Sequence, residues 1–292
     1  MFSKSHLLRR KILDKAMWAL ATFSLVCIVA PLAWLVWGVV GRALPHWNWS
    51  LLTTKPGGAN GGGLSTLIVG TLVITAGVAV VAGIIGIGSG LYLSELCPEG
   101  KGKILRTASE VLSGVPAIVL GFLGYTVLVV EFKWGFSLGA ALVVLSIMVV
   151  PYIAKATEVA ILQVPTAFRE AAEGLGMTRW QTLRRAVLKP AAPGIVTGLI
   201  IALAIAMGET APLLYTAGAS NNFPTSHITH SPVGFLTYAV WTDYNQPLAG
   251  SAELSATAAV LLLVIVLMLI LLSRLVIRVS KKYSINNSHG GR

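Results

Sequence analysis

The sequence predicts an all-α integral membrane protein with six transmembrane helices and both termini on the cytoplasmic side. Three observations carry this. Of its 292 residues, 55% are hydrophobic and only 11% are charged, against about 25% charged residues in an ordinary soluble domain. Six apolar runs reach the roughly 18 to 20 residues that cross a bilayer core. When those runs alternate in direction, all but three (Arg42, Lys55, Lys133) of the 22 lysines and arginines fall on one side, the side the positive-inside rule makes cytoplasmic. Lipid offers the backbone no hydrogen-bond partners, so the glycine-rich runs are helices rather than barrel strands.

The elements follow in order. The start, MFSKSHLLRRKILDK, resembles the basic region of a signal peptide, but the apolar run Met17 to Val40 is too long for a signal core. It is read as a retained first span, 17–41. The second span, 64–93, contains GIIGIGSG. Gly86 and Gly90 there form a G-x-x-x-G pair suited to close helix packing, and no strand precedes them to make a dinucleotide turn. Further spans are expected at 109–130, 136–160, 193–216 and 254–277. Lys101, Lys103 and Arg106 mark one cytoplasmic loop, whereas the long loop 217–252 on the other side has no basic residue. Trp34, Trp37, Trp134 and Trp241 fall near boundaries, as interfacial anchors or packed aromatics. The chain divides into 1–63 (tail, first helix and extracytoplasmic loop), a transmembrane domain 64–277, and a cytoplasmic tail 278–292.

Several function classes are set aside by position and absence. The net charge of +11 would suit nucleic acid, but the basic residues sit at the ends of apolar runs, where membrane lipid is their partner. The chain lacks a Gly-x-x-x-x-Gly-Lys-Ser/Thr loop, so it binds no ATP by that motif. No nucleophile–base pair or metal-ligand set recurs on the spans, so no catalytic or metal residue is assigned. Cys27 and Cys97 have neither a disulfide partner nor metal-ligand company. His227 and His230, in SHITHSP, have a spacing a metal can use, but without further ligands they read as surface residues. The following GFLTYAVW (234–241) is expected on the outer membrane surface.

One segment stands out. Between the fourth and fifth spans, REAAEGLGMTRWQTLRRAVLKPAAPG (169–194) gathers charge in an otherwise apolar chain. Phe168, Ala172 and Leu175, then Trp180, Leu183 and Val187, recur at three- and four-residue spacing and give two short amphipathic helices within 166–188. Gly174 and Gly176 can close the first with a tight turn. Thr178 and Gln181 fit a capping box for the second, which is expected to stop near Lys189 because Pro190 restricts the residue before it. The pair lies either on lipid headgroups, which Arg184 and Arg185 favour, or against a cytoplasmic partner, which the small Ala171 and Ala172 beside Glu170 favour.

This segment resembles the coupling motif of ABC importer permeases: Glu-Ala-Ala, three residues, Gly, nine residues, an apolar residue, any residue, then Leu-Pro. Glu170, Ala171, Ala172, Gly176 and Leu188 match at that spacing, while Lys189 stands where the family has proline. LYLSELCPEGKGK (91–103), LSGVPAIVLGFLGY (112–125) and GETAPLLYTAG (208–218) are similar to the A-type permease subunit of bacterial high-affinity phosphate importers. The resemblance implies a type-1 ABC importer permease in a bacterial or archaeal plasma membrane. Its partners would be a second homologous permease, two ATP-binding subunits using ATP and Mg, and an extracytoplasmic phosphate-binding protein. It also implies ATPase coupling through Arg169, Glu170, Ala171, Ala172, Gly174 and Gly176. The alternatives are another oxyanion or small solute as cargo, or a secondary transporter without an ATPase.

Candidate translocation residues are Glu209, Thr210, Pro212 and Lys155. Glu209 lies about 22 Å along its helix from Gly194, in the outer half of a core about 30 Å thick. An acid there faces a cavity or a partner charge, or is packed against a neighbouring helix. Pro212 clashes with the carbonyl of Gly208 and is expected to kink the helix beside Glu209 and Thr210. A carboxylate can accept the proton that phosphate still carries near neutrality, or can orient an arginine toward the anion. Related permeases often carry an arginine four residues before this acid. Ile205 occupies that place here, so the positive charge would come from the partner subunit. Lys155 pairs with Glu158 at i,i+3, as a snorkelling side chain or as part of an exit path.

Overall fold

The computed structural model describes residues 4–57 and 62–281, and its regular structure there is helical. Five helices are long and apolar enough to cross a membrane. They are α1 (Lys4–Ala43), α2 (Ser65–Leu96, its last turn a π turn), α5 (Leu138–Leu162), α7 (Arg179–Gly208) and α10 (Ser251–Lys281). The bent pair of α3 (Glu99–Ser113) and α4 (Ala117–Glu131), which meet at 91°, makes a sixth crossing when the two count as one broken span. The shorter helices are α6 (Thr166–Gly174), α8 (Ala211–Thr216) and α9 (Leu236–Asn245). Most of the expected C-terminal tail, from residue 282 onward, lies outside the described residues.

Two expectations about spans are corrected. Residues 109–130 are not one straight helix: 109–113 end α3, and α4 leaves it at almost a right angle. Pro116 has no backbone N–H and disfavours helical geometry at Val115, so the chain turns there. The charged face of α3, with Lys101, Lys103 and Arg106, has no place in hydrocarbon. The second hairpin helix also fails to stop at Lys189. It runs unbroken into the fifth span, with residues Thr182–Val187 widened into a π turn just before Pro190. The wider turn reroutes the hydrogen bonds that a proline would otherwise interrupt.

α2 and α5 pack along their lengths at the centre of the bundle, and small residues set the approach. A Cβ on Gly86 would lie 2.7 Å from Ile153 Cβ, and one on Gly90 would meet the carbonyl of Ala154 and the side chain of Thr157. The G-x-x-x-G pair is thus a packing device. Around it Val78, Val144, Leu145, Val149, Ile153, Leu203 and Phe235 are buried in one cluster. A second cluster, with Ile161, Val164, Leu183 and Val187, closes the end that carries α6. Among the described residues α1 packs chiefly on α10, leaving Trp18, Trp34 and Trp37 exposed.

Candidate functional site

The hairpin at the α6 end is built by its turn. Met177 N–H bonds to the carbonyl of Ala172 (3.1 Å) and Gly176 N–H to that of Glu173 (2.9 Å), with Gly176 at φ 73°. These are the two bonds of a Schellman cap, with glycine at its left-handed position. Gly174 has ordinary helical geometry and open space around it, so Gly176 alone makes the turn. Thr178 and Gln181 form the expected capping box, with Gln181 N–H on Thr178 Oγ1 at 3.3 Å and Thr178 N–H on Gln181 Oε1 at 3.0 Å.

The hairpin's faces differ from the periodic reading. Ala172, Leu183 and Val187 are buried, but Leu175 is 77% and Trp180 63% exposed. Together with exposed Glu170, Ala171 and Gly174, they form an apolar and acidic outer surface. Beside it a groove of about 510 Å3 runs between Leu91, Glu95, Met177 and Trp180. Arg169 does not join that outer surface. Its guanidinium turns into the bundle and pairs with Glu95 Oε1 at 2.7 Å.

Sequence reasoning missed a second ion pair nearby. Arg106 of α3 binds Glu158 of α5, while Lys155 stands 3.8 Å from the other oxygen of Glu158. Lys155 is exposed, and it lines a pocket of about 240 Å3 with Arg106, Ser109 and Tyr152. The local i,i+3 spacing pointed to Lys155 as the partner. The better partner is 52 residues away in sequence and was not readable from spacing.

At the other end of α7 the helix does not kink but stops. Gly208 is its last residue, Glu209 is extended (φ −73°, ψ 136°), and α8 starts afresh at Ala211. Pro212 is buried against Gly121 of α4, where an added Cβ would lie 2.7 Å from Pro212 Cα. Its part is therefore to break the helix and pack, not to line an open route. The break frees the Glu209 carbonyl, which accepts a hydrogen bond from Thr237 Oγ1 at 2.8 Å. Leu236 N–H likewise donates to Thr71 Oγ1 at 2.9 Å. The first turn of α9 is thus sunk into the bundle, with Phe235 and Leu236 buried, and segment 234–241 does not lie on the membrane surface as expected.

Glu209 itself is half-buried, and its carboxylate has no hydrogen bond or ion pair among the described residues. Thr210 and Thr237 line a cavity of about 570 Å3 with Arg42, Trp241, Tyr244 and Asn245. Ile205 is 38% exposed on α7. Lys155 belongs to the opposite, α6 end, so the four candidate translocation residues do not form one site. Among the described residues no group of three or more His, Cys, Asp or Glu is placed to hold a metal ion.

A bundle of helices long and apolar enough to cross a membrane, with an exposed hairpin at one end and a broken helix beside Glu209 at the other, is the architecture of a multi-pass membrane protein. The chain belongs to the family of binding-protein-dependent transport system inner membrane components, which matches residues 84–283. It is 53% identical over 274 residues to "Phosphate transport system permease protein PstA 2" of Mycobacterium tuberculosis, covering 94% of this chain and 91% of that protein. It is 31% identical to the Yersinia pestis phosphate transport system permease protein PstA, covering 88% of each. Among solved structures, a chain of the MetNI methionine ABC transporter in inward-facing form shares the fold at a TM-score of 0.61. That match has 24% identity and covers 74% of this chain and 96% of that one. A chain from a bacterial ABC importer of the polysaccharide alginate matches at a TM-score of 0.59 and 17% identity, covering 94% of this chain and 99% of the other.

Proposed function

We propose that this chain is the permease subunit of an ATP-driven phosphate importer in the plasma membrane, forming half of the translocation pathway. The other half is a second, homologous permease. Two ATP-binding subunits, which use ATP and Mg, sit beneath, and an extracytoplasmic phosphate-binding protein delivers the cargo. Both termini and α6 face the cytoplasm, as the distribution of basic residues requires. The names of the nearer relatives support phosphate as cargo.

One observation carries the coupling mechanism. α7 is unbroken from Arg179 in the hairpin to Gly208 beside Glu209, a rod of 30 residues and about 45 Å. Force applied by an ATPase to Glu170, Ala171, Leu175 and Trp180 travels down that rod to the break at Glu209. Gly174 leaves room for the approach, and Ala172 and Gly176 hold the hairpin's shape.

At the break, chemistry favours a protonated anion. Inorganic phosphate has one more ionisable hydroxyl than a phosphoester, whose last proton leaves at a pKa of about 6, so it keeps a proton near neutrality and can donate a hydrogen bond to the Glu209 carboxylate. Fully ionised sulfate has no such proton. Thr210 adds a hydroxyl to the cavity beside it, and Lys155 lies on the exit side. The test is affinity purification of the full chain from mild detergent, followed by uptake assays in liposomes. Co-purifying ATPase and second-permease subunits with ATP-dependent phosphate uptake are expected. Uptake without any ATPase would overturn the proposal.

A further inference from the structure

Arg169 immediately precedes the exposed Glu170, yet its side chain leaves the hairpin. Nη2 donates to Glu95 Oε1 at 2.7 Å and to the carbonyl of Ile161 at 3.4 Å, and Nη1 donates to the carbonyl of Val164 at 3.0 Å. Glu95 lies in the π turn that ends α2, Ile161 in the last turn of α5, and Val164 in the connector that follows. One guanidinium thus joins three pieces of chain. The Ile161 carbonyl also accepts the Val164 N–H at 3.2 Å, and both carbonyls sit at the C-terminal end of α5, where a cation is favoured. The pair is 25% and 22% exposed, so it is less screened than a surface pair and its hydrogen bonds are charge-assisted.

No other side chain of α6 makes a polar contact with a crossing helix among the described residues. Ala172 is the helix's only buried residue. Its continuity with α7 is covalent, through the Gly176 turn, but its link to α2 and α5 is otherwise the short connector 163–165. α2 and α5 in turn form the central packed pair. Without the Arg169 tie, α6 can shift against that pair, although α7 stays packed on α5.

Resting on the coupling role given to α6 above, we propose that Arg169 is a positioning residue that locks the coupling helix to α2 and α5 through Glu95, so that ATPase movement displaces all three elements together. Its place beside Glu170 in the motif is then explained by an inward task rather than by ATPase contact.

The test uses the full complex in liposomes with Arg169→Met, Glu95→Gln and the double variant. Two quantities are measured, the phosphate moved per ATP hydrolysed and the spread of distances between spin labels at Leu175 and Lys103 in a Cys27→Ala, Cys97→Ala background. Arg169→Met should cut the transport ratio roughly tenfold while ATP hydrolysis continues, and Glu95→Gln should cut it by less, as expected for losing or weakening a charge-assisted bond. The double variant should be no worse than Arg169→Met alone, and the label distances should broaden in step. A ratio and distance spread unchanged by either single variant would overturn the proposal, as would fully multiplicative losses in the double variant. Should Arg169→Met fail to assemble, Glu95→Gln, which keeps an acceptor for the guanidinium, still decides it. If the unmodified complex moves no phosphate, the transport assignment fails, while the label distances continue to report on the tie.

Discussion

Arg106 Nε donates to Glu158 Oε1 at 2.5 Å while its Nη2 donates to the carbonyl of Leu93 at 3.1 Å, so one side chain from α3 fastens the ends of α5 and α2. Glu158 is only 4% exposed, whereas Arg106 is 36% exposed. Removing the arginine strands a buried carboxylate that Lys155, at 3.8 Å and 61% exposed, compensates poorly. Arg106→Ala should therefore lower stability by about 2 kcal/mol, below the roughly 3 to 5 kcal/mol for breaking a fully buried pair because one partner is partly solvated. Unfolding in detergent reads this, and Glu158→Gln should be milder. Equal stability for Arg106→Ala would show that the pair contributes nothing.

Glu170→Lys and Gly176→Val test the hairpin in different ways. The first reverses charge on the exposed face and leaves the fold intact, so membrane insertion should be normal and ATP-driven phosphate uptake lost. The second forces a branched residue into the left-handed region at φ 73°, which costs on the order of 1 to 2 kcal/mol. It should reshape the turn and lower uptake without removing α6. Normal uptake by Glu170→Lys, with the partner subunits present, contradicts the docking role.

Glu209→Gln should keep uptake measurable but narrow the preference for phosphate over sulfate, because an amide can donate to an unprotonated anion as well as accept from a protonated one. Competition assays in liposomes measure it. An unchanged preference would return Glu209 to a packing role.

Asp243 gives a pH dependence outside the crossing helices. Burial in the rim pocket it shares with His46 and Glu253 pushes its carboxyl above the usual carboxylate range. The protonated form is favoured in the fold, so the contribution is fully present below the unfolded pKa of about 4 and is lost as pH rises through the raised folded value. Asp243→Asn should match the parent in thermal stability near pH 4 and exceed it at pH 8. A difference independent of pH would mean that another group dominates there.

The positions of the spans were legible because hydropathy and basic flanks are local signals. The capping box at Thr178 and Gln181 and the turn at Gly176 were legible for the same reason. Errors arose where tertiary context overrode a local rule. Pro190 reads as a helix stop, yet a π turn carries the helix past it. Leu175 and Trp180 share the apolar period of Ala172, Leu183 and Val187 yet are exposed while those are buried, because periodicity cannot distinguish a core face from an exposed apolar one. Arg169 read as a coupling residue and Arg106 as a cytoplasmic loop charge, and neither ion pair was legible because the partners Glu95 and Glu158 lie far away in sequence. At GETAP the proline predicted a kink, but the break is complete, and Thr237 from the distant helix α9 satisfies the freed Glu209 carbonyl.

Photo-crosslinking from position 175, carried out on the assembled complex in inverted membrane vesicles, probes the hairpin at its most exposed apolar residue. The account predicts a crosslink to an ATP-binding subunit that is lost in the Glu170→Lys variant. A crosslink confined to lipid, or one reached only by reagents applied from the extracytoplasmic side, would contradict it.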